Sequence, residues 1–387
     1  MANTIINPTI FSQDVQLFLR ASLVAEAICR SQFRGDLYPG KTINYPYAST
    51  VRLQDYSYST DLTIDPTTFT SDTYSIDQVK AASFNFDRFQ NMVSTSMDWM
   101  GQLADEMGYE LSNNIDQYAL QTGINGALNT VAGGTLSASN MFEVMTSTKA
   151  TLGNARAGAG TYFAVIDHNR AATLANTDKA NGFNLADAAL RNGYVGDTAA
   201  GYKVFVSNNL PYAVSLTLVT NPTAGDTITL QGQTWEFVAN GTAAAAGEIS
   251  IGGSAAATQA IVVNAINGTG TPGASTYIDF DADTRRTLLN AQLTAATFSA
   301  NVSAITGYGI LNPSAVFTSA NNFFGTSTFS MLLGVMGAID LTVQAEPEIL
   351  ETQEPKNFSK NVLGITQFGA GTFYRDKAKL VKLTANA

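Results

Sequence analysis

The chain has 387 residues, enough for two or three domains with buried cores. Only 13% of them are charged while 45% are hydrophobic, so the polar remainder is Ser, Thr, Asn, Gln and Gly, a sparingly charged surface suited to many protein–protein contacts. The net charge of −10, with no basic stripe, excludes tight nucleic-acid binding through phosphate neutralisation. The single cysteine, Cys29, rules out an intrachain disulfide and a cysteine zinc site, and the single histidine, His168, removes every His-pair metal site.

Residues 1–13 carry Pro8 and little periodicity, and read as an extended arm. No basic stretch precedes an apolar core there, so no secretory signal is expected and folding in a cytoplasm is. Over 14–33, Val15, Leu17, Phe18, Leu23, Val24, Ala27 and Ile28 fall on one face of an amphipathic helix, with Ser12 or Asp14 as cap. Cys29 lies in this pattern and reads as a buried structural thiol.

The stretch RGDLYPGKT (34–42) matches two short motifs. Gly35, Gly40, Lys41 and Thr42 fit a phosphate loop, but that mechanism needs strand, loop and then helix. Here the predicted order is helix, loop, then the strand-like INYPY, and Pro39 lacks a backbone donor. Arg34-Gly35-Asp36 is an adhesion tripeptide only on an exported surface. The stretch reads as a turn that ends a helix and enters a strand.

Residues 43–85 alternate in pairs such as Val51/Leu53, Tyr56/Tyr58 and Leu62/Ile64, a strand-like pattern with polar residues between. A long two-stranded excursion of this kind cannot bury much apolar surface and needs something to lie on, which points to another subunit. Over 88–122, Val93, Met97, Met100, Ala104, Met107, Leu111, Ile115 and Tyr118 form one apolar stripe. That spacing predicts a helix of about 30 residues, roughly 45 Å long.

Helix is then expected over 138–152, a buried strand over 161–167 (TYFAVID), a short helix over 169–178, and a strand over 202–211 (YKVFVSNNLP) ending in a proline turn. From 217 to 318 the composition shifts to Ala, Thr, Gly and Asn with few charges. This stretch predicts a hairpin over 225–238 across Gln231-Gly232 and a strand at 248–252. A helix follows over 254–268, with Ala257, Ile261, Val262, Ala265 and Ile266 inward and Gly268 as C-cap, then a strand at 276–282. It reads as a compact α+β module inserted between two apolar segments. The chain closes with β structure over 339–350 and 358–383. Its longest apolar run, near 329–339, is far short of the about 20 residues that span a bilayer.

No catalytic, cofactor-binding or metal set emerges. Asp167 ends an apolar strand, as many strands do, and His168 beside it has no nucleophile to serve. GNARAGAG (153–160) precedes its strand and is no dinucleotide fingerprint. The pairs Asp281/Asp283 and Asp61/Asp65 read as solvated turn acids rather than a calcium site.

The order of these pieces resembles the major capsid protein of tailed bacteriophages, the Hong Kong 97-like α+β fold. MANTIINPTIFSQDVQLFLRASLVAEAI is similar to that family's N-arm and first helix, GKTINYP with 43–85 to its E-loop, and 88–122 to the spine helix of its P-domain. TYFAVIDHNRAATLAN and GYKVFVSNNLP look like A-domain elements, and FSKNVLGITQFGAGTFYRDKAKLVKL like the closing strands. The resemblance implies an N-arm and first helix at 1–33, E-loop at 34–87, P-domain spine helix at 88–135, A-domain at 136–216 and 319–350, and C-terminal P-domain strands at 351–387. Segment 217–318 resembles a small module of phage virion proteins, set into the A-domain and facing outward.

Implied with the fold are homo-hexamers and pentamers in an icosahedral shell around double-stranded DNA, assembled in the host cytoplasm without a membrane. A separate scaffolding protein, a portal protein and a decoration protein are implied partners, and no cofactor is implied. No lysine lies within 42–79, so the covalent crosslinking found in the family is not carried over. Three other readings stay open: a nucleotide hydrolase using Lys41, an exported surface-layer or adhesin protein, and an encapsulin-like compartment with the same shell fold.

Overall fold

The long helix Trp99–Gly126 organises the described part of the chain. In the computed structural model, which describes residues 23–31, 42–48, 53–59, 61, 63–64, 66, 68–87, 99–155, 160–180, 200–299, 301–309, 311–353 and 359–386, elements follow one another in this order. A one-turn helix α1 (Ala25–Ile28) precedes β1 (Thr42–Ala48), β2 (Phe69–Ser75) and β3 (Gln78–Asp87). The long helix α2 (Trp99–Gly126) leads to β4 (Asn129–Thr135), α3 (Met141–Asn154), β5 (Tyr162–Ile166), α4 (His168–Ala180), β6 (Lys203–Val206) and β7 (Pro211–Leu218). Next come β8 (Thr227–Leu230), β9 (Gln233–Val238), β10 (Glu248–Ser250), α5 (Ala255–Asn267), α6 (Ala282–Asn290), β11 (Thr294–Ser299), β12 (Val302–Tyr308), β13 (Ser314–Val316) and β14 (Asn322–Phe324). The chain ends with β15 (Thr328–Val335), β16 (Asp340–Gln353), β17 (Ser359–Gly371), α7 (Tyr374–Lys377) and β18 (Leu380–Asn386).

Among the described residues the strands form four sheets. β1 and β2 make an isolated antiparallel pair, Thr42 opposite Ser75 and Ala48 opposite Phe69. β16, β17 and β3 make a long three-stranded sheet. A nine-stranded sheet runs β11-β12-β7-β15-β18-β4, with β14 on β7, and β5 and β6 branching from β15. A four-stranded sheet runs β10-β9-β8-β13.

The 28-residue α2 spans about 42 Å and touches two of these sheets. Its first half lies on the three-stranded sheet, where Met107 and Leu111 pack on Val362 beside Ala82 and Phe84. Gly364 permits that approach, because a Cβ there would sit 2.9 Å from the Met107 sulfur and 3.1 Å from Leu111 Cδ1. Its second half buries Ala119, Leu120 and Ile124. Met107 and Leu111 of the predicted stripe are core residues, whereas Ile115 and Tyr118 are only partly buried. The stripe changes face because α2 serves two sheets in succession. Val93 and Met97 lie outside the described residues.

Several expectations change. Of the helix predicted over 14–33, the described residues show only Ala25–Ile28, and Ser12 and Asp14 lie outside them. β3 is not an arm of the hairpin but pairs with β17 from Asp87 opposite Ser359 to Gln78 opposite Phe368. Pro211 opens strand β7 rather than closing a turn. The strand predicted over 276–282 is one bridge, Tyr277 to Ile249, followed by helix α6, whose weak apolar content hid it.

Segment 217–318 contributes to two sheets. The hairpin β8–β9 turns through Gln231 (φ 51°) and Gly232 (φ 78°), as predicted, with both residues in the left-handed region that tight hairpins require. α5 is capped by Ser254, whose side chain accepts from the Ala257 N–H, and ends at Gly268 in the left-handed conformation. Val262, Ala265 and Ile266 are buried as expected, but Ala257 is exposed, and Thr258 and Gln259 take the buried positions. Buried Gln259 donates through its Nε2 to Ser303 Oγ at 2.7 Å. β12 and then β11 extend the nine-stranded sheet beyond one edge of β7, and β14, just after the segment, pairs with the other edge.

Candidate interaction surfaces

Of the residues first weighed for chemistry, Asp167, Asp281 and Asp283 make contacts within the fold. Thr42 opens a strand, so no helix follows the phosphate-loop-like stretch; Gly35, Gly40 and Lys41 lie outside the described residues. Asp167 is buried, accepts from the Arg170 N–H at 3.0 Å in the first turn of α4, and accepts from the Tyr212 hydroxyl. Burial, and then that carboxylate, push the Tyr212 phenol far above its ordinary value. His168 is the exposed first residue of α4. Asp281 caps α6, accepting from Thr284 N–H at 2.7 Å, and these bonds hold its carboxyl below the usual range. Asp283 pairs with Arg286 at 3.0 Å, and the two acids of this turn therefore face their own helix. Asp61 is exposed, and Asp65 lies outside the described residues. Among the described residues no group of three or more His, Cys, Asp or Glu side chains could hold a metal. No helix among them is long and apolar enough to cross a membrane.

The unusual surfaces are apolar. Beyond β1 the chain exposes Leu53 (98%), Tyr58 (92%) and Ile64 (91%), with Tyr56 and Phe69 also largely exposed. Gln54 keeps the two sides of this excursion together, its amide donating to Thr63 O at 2.6 Å and accepting from Thr63 N–H at 3.2 Å. The three-stranded sheet has a second such surface. One face of β17 meets α2 through Val362 and Gly364, and the alternate residues Leu363 and Ile365 are exposed. Ala81 and Ser83 of β3 lie opposite Ile365 and Leu363, and Val79 is exposed two residues on. An exposed aromatic excursion and an uncovered apolar sheet face are both what a subunit contact requires.

Sequence reasoning missed the polar joints that hold these parts in place. Asp116, buried in α2, accepts from Val24 N–H at 2.7 Å, Ala25 N–H at 2.6 Å and the Asn209 amide at 2.8 Å. Burial raises its pKa against the pull of those three donors. Asn209 also donates to Asn113 at 2.7 Å, and Gln292 to Gln117 at 2.7 Å, so one polar seam along α2 joins α1, the turn before β7 and segment 217–318. Arg30 grips Asp340 with two bonds of 2.7 Å and reaches Asp376 at 3.4 Å, while Lys379 holds Asp376 at 2.7 Å. Desolvation raises the Asp340 pKa although Arg30 opposes it. Cys29, partly buried between Ala25 and Ile28, has its thiol pushed up by burial and then by Asp116 and Asp340. The signal was present: Asn113, Asp116 and Gln117 interrupt the apolar helix at the spacing of one face.

No protein-family model matches the sequence, and no curated protein matches it. Solved structures do match along the whole chain. A chain of Mycobacterium phage Che8 aligns over 99% of this chain and 98% of its own, with 12% identity and a TM-score of 0.59. The capsid structure of cyanophage P-SCSP1u aligns over 98% and 93%, at 12% identity and a TM-score of 0.55. The acid-stable capsid structure of Helicobacter pylori bacteriophage KHP30 aligns over 100% and 97%, at 9% identity and a TM-score of 0.52. At such identities the likeness is one of fold.

Proposed function

We propose, from the Hong Kong 97-like fold that this chain shares with tailed-phage capsid proteins, that it is a major capsid protein. It self-assembles into pentamers and hexamers of an icosahedral shell that encloses double-stranded DNA. The observation that carries this reading is the match to capsid structures across nearly the whole of both chains, not to a shared fragment. The surfaces support it. The excursion from 42 to 75 takes the role of the E-loop, and its exposed Leu53, Tyr56 and Tyr58 lie on the uncovered Val79–Leu363–Ile365 face of a neighbour. The acidic, sparingly charged chain encloses its genome without gripping it, which leaves the DNA free to leave.

In this reading α2 is the spine of the P-domain, the sheet around β5, β15 and β18 is the A-domain, and 217–318 decorates the outer surface. A scaffolding protein directs closure, a portal replaces one pentamer, a decoration protein can bind outside, and assembly takes place in the host cytoplasm. Negative-stain electron microscopy of the purified chain, with and without a co-expressed scaffolding protein, tests it. Closed shells or capsomer rings are expected. A monodisperse monomer under both conditions refutes self-assembly.

A further inference from the structure

Two elements of this chain have little core of their own: the hairpin β1–β2 and the N-terminal segment 23–30. Both are held at the same short stretch, Phe373 to Lys377. On one side, Phe373 stacks on Tyr45 with ring centroids 4.8 Å apart, and Tyr374 stacks on Tyr47 at 5.1 Å with planes within 4°. The Tyr374 N–H donates to the Asp72 carboxylate, and Arg375 Nη2 donates to Ala48 O at 2.9 Å. These four contacts grip both strands of the hairpin at its base.

On the other side of the same turn stands Asp376, buried, with Arg30 and Lys379 as its cations. Arg30 belongs to the N-terminal segment, which is laid along the start of β16. Its N–H donates to Ile339 O at 2.7 Å, its carbonyl accepts from Leu341 N–H at 2.9 Å, and Ile28 O accepts from Gly337 N–H at 2.9 Å. Its guanidinium bridges Asp340 to Asp376.

We propose that Phe373–Lys377 is a coupling node, through which the angle of the hairpin and the seating of the N-terminal segment bias one another. The argument is mechanical. α7 is one turn long, so residues 373–375 cannot follow a swinging hairpin without carrying Asp376 with them. Moving Asp376 from Arg30 leaves a buried carboxylate with one cation fewer, which is unfavourable in a desolvated site. Conversely, withdrawing Arg30 frees the turn to rotate and loosens the ring stacks. Such a coupling free energy must be reciprocal.

The test is hydrogen exchange on the full, unassembled chain, so its outcome does not depend on whether shells form. Tyr374→Ala removes an exposed ring on the hairpin side. It is expected to speed exchange at the distant Arg30 and Leu341 amides as well as at the hairpin base. Arg30→Gln is expected to speed exchange over 44–48 by about ten-fold, the scale of losing a bond to a charged group. Lys379→Met, which leaves both elements' backbone contacts untouched, should shift the same two regions together. If each substitution loosens only its own side, the node is not a coupler. Because the Tyr374 side chain lies outside the buried ion cluster, that arm decides the matter even if Arg30→Gln fails to fold.

Discussion

The hairpin 42–75 and the segment 217–318 are both rich in threonine, yet they solve opposite problems. The segment buries its apolar side chains: Trp235 (1% exposed) and Phe237 (0%) belong with Ile228, Leu230, Ile249 and Val262 to a core that runs on into the nine-stranded sheet. The hairpin leaves Leu53, Tyr58 and Ile64 almost wholly in solvent and touches the rest of the chain mainly at its base. The difference lies in closure: a segment with a third and fourth strand and a helix can cover its apolar face, and two strands cannot. What two strands leave bare becomes available to a neighbour.

Substitutions that treat the two regions alike should therefore give unlike results. The largest loss is expected from Trp235→Ala, which empties a filled site beside Phe280, where the rings meet edge to face at 5.0 Å. A cost of about 3–5 kcal/mol in urea unfolding of the full chain is expected, and a cost below about 1 kcal/mol would show that Trp235 does not fill a core site.

Next is Asp116, which belongs to neither region but ties α1 to α2. Asp116→Ala strands the Val24 and Ala25 N–H groups and should cost about 2–3 kcal/mol. The sign of its pH dependence follows from burial, which raises the folded-state pKa above the unfolded value. The unfolded chain then ionises first as pH rises, so Asp116 contributes most below about pH 4, and its contribution declines through the raised pKa. Wild type compared with Asp116→Asn should thus show a larger stability advantage near pH 4.5 than near pH 7. A gap that widens toward pH 7 instead would mean that the three donors outweigh desolvation.

A smaller effect is expected where local geometry alone is at stake. Gly232 sits at φ 78° in the β8–β9 turn with open space where a Cβ would go. Gly232→Ala should cost about 1 kcal/mol from backbone strain without any clash, readable as a lowered melting temperature. A neutral result would indicate that the turn relaxes.

Legibility tracked the same divide. The turn at Gln231-Gly232, the Ser254 and Gly268 caps and the apolar helices were readable because each depends on residues close in sequence. Helix α6 was not, since of its residues only Leu288 is buried, and its start rests on the side chain of Asp281. β3 was misassigned to the hairpin because its partner β17 lies more than 270 residues away, and alternation cannot reveal which strand is opposite. The joints at Asp116 and Arg30 were missed for the same reason. Their partners sit 91 to 346 residues distant, and one charged residue in a helix reads as solvated until the fold closes over it. Deleting 43–85 would therefore strip β3 from the three-stranded sheet, whereas deleting 49–68 would not.

The smallest effect on the folded chain should come from the most exposed residues, and there the comparison is sharpest. Replacing Leu53, Tyr56 and Tyr58 together by serine removes side chains that touch little of their own subunit. Surface changes of this kind usually stay within about 0.5 kcal/mol each, so unfolding of the monomer should scarcely shift. If the hairpin is a subunit contact, however, the same triple variant repeats its loss at every interface of a shell, and sedimentation should show soluble subunits where wild type gives particles. Particles of normal yield would mean that the bare hairpin is merely solvated. A monomer destabilised by several kcal/mol would mean that it covers its own chain after all.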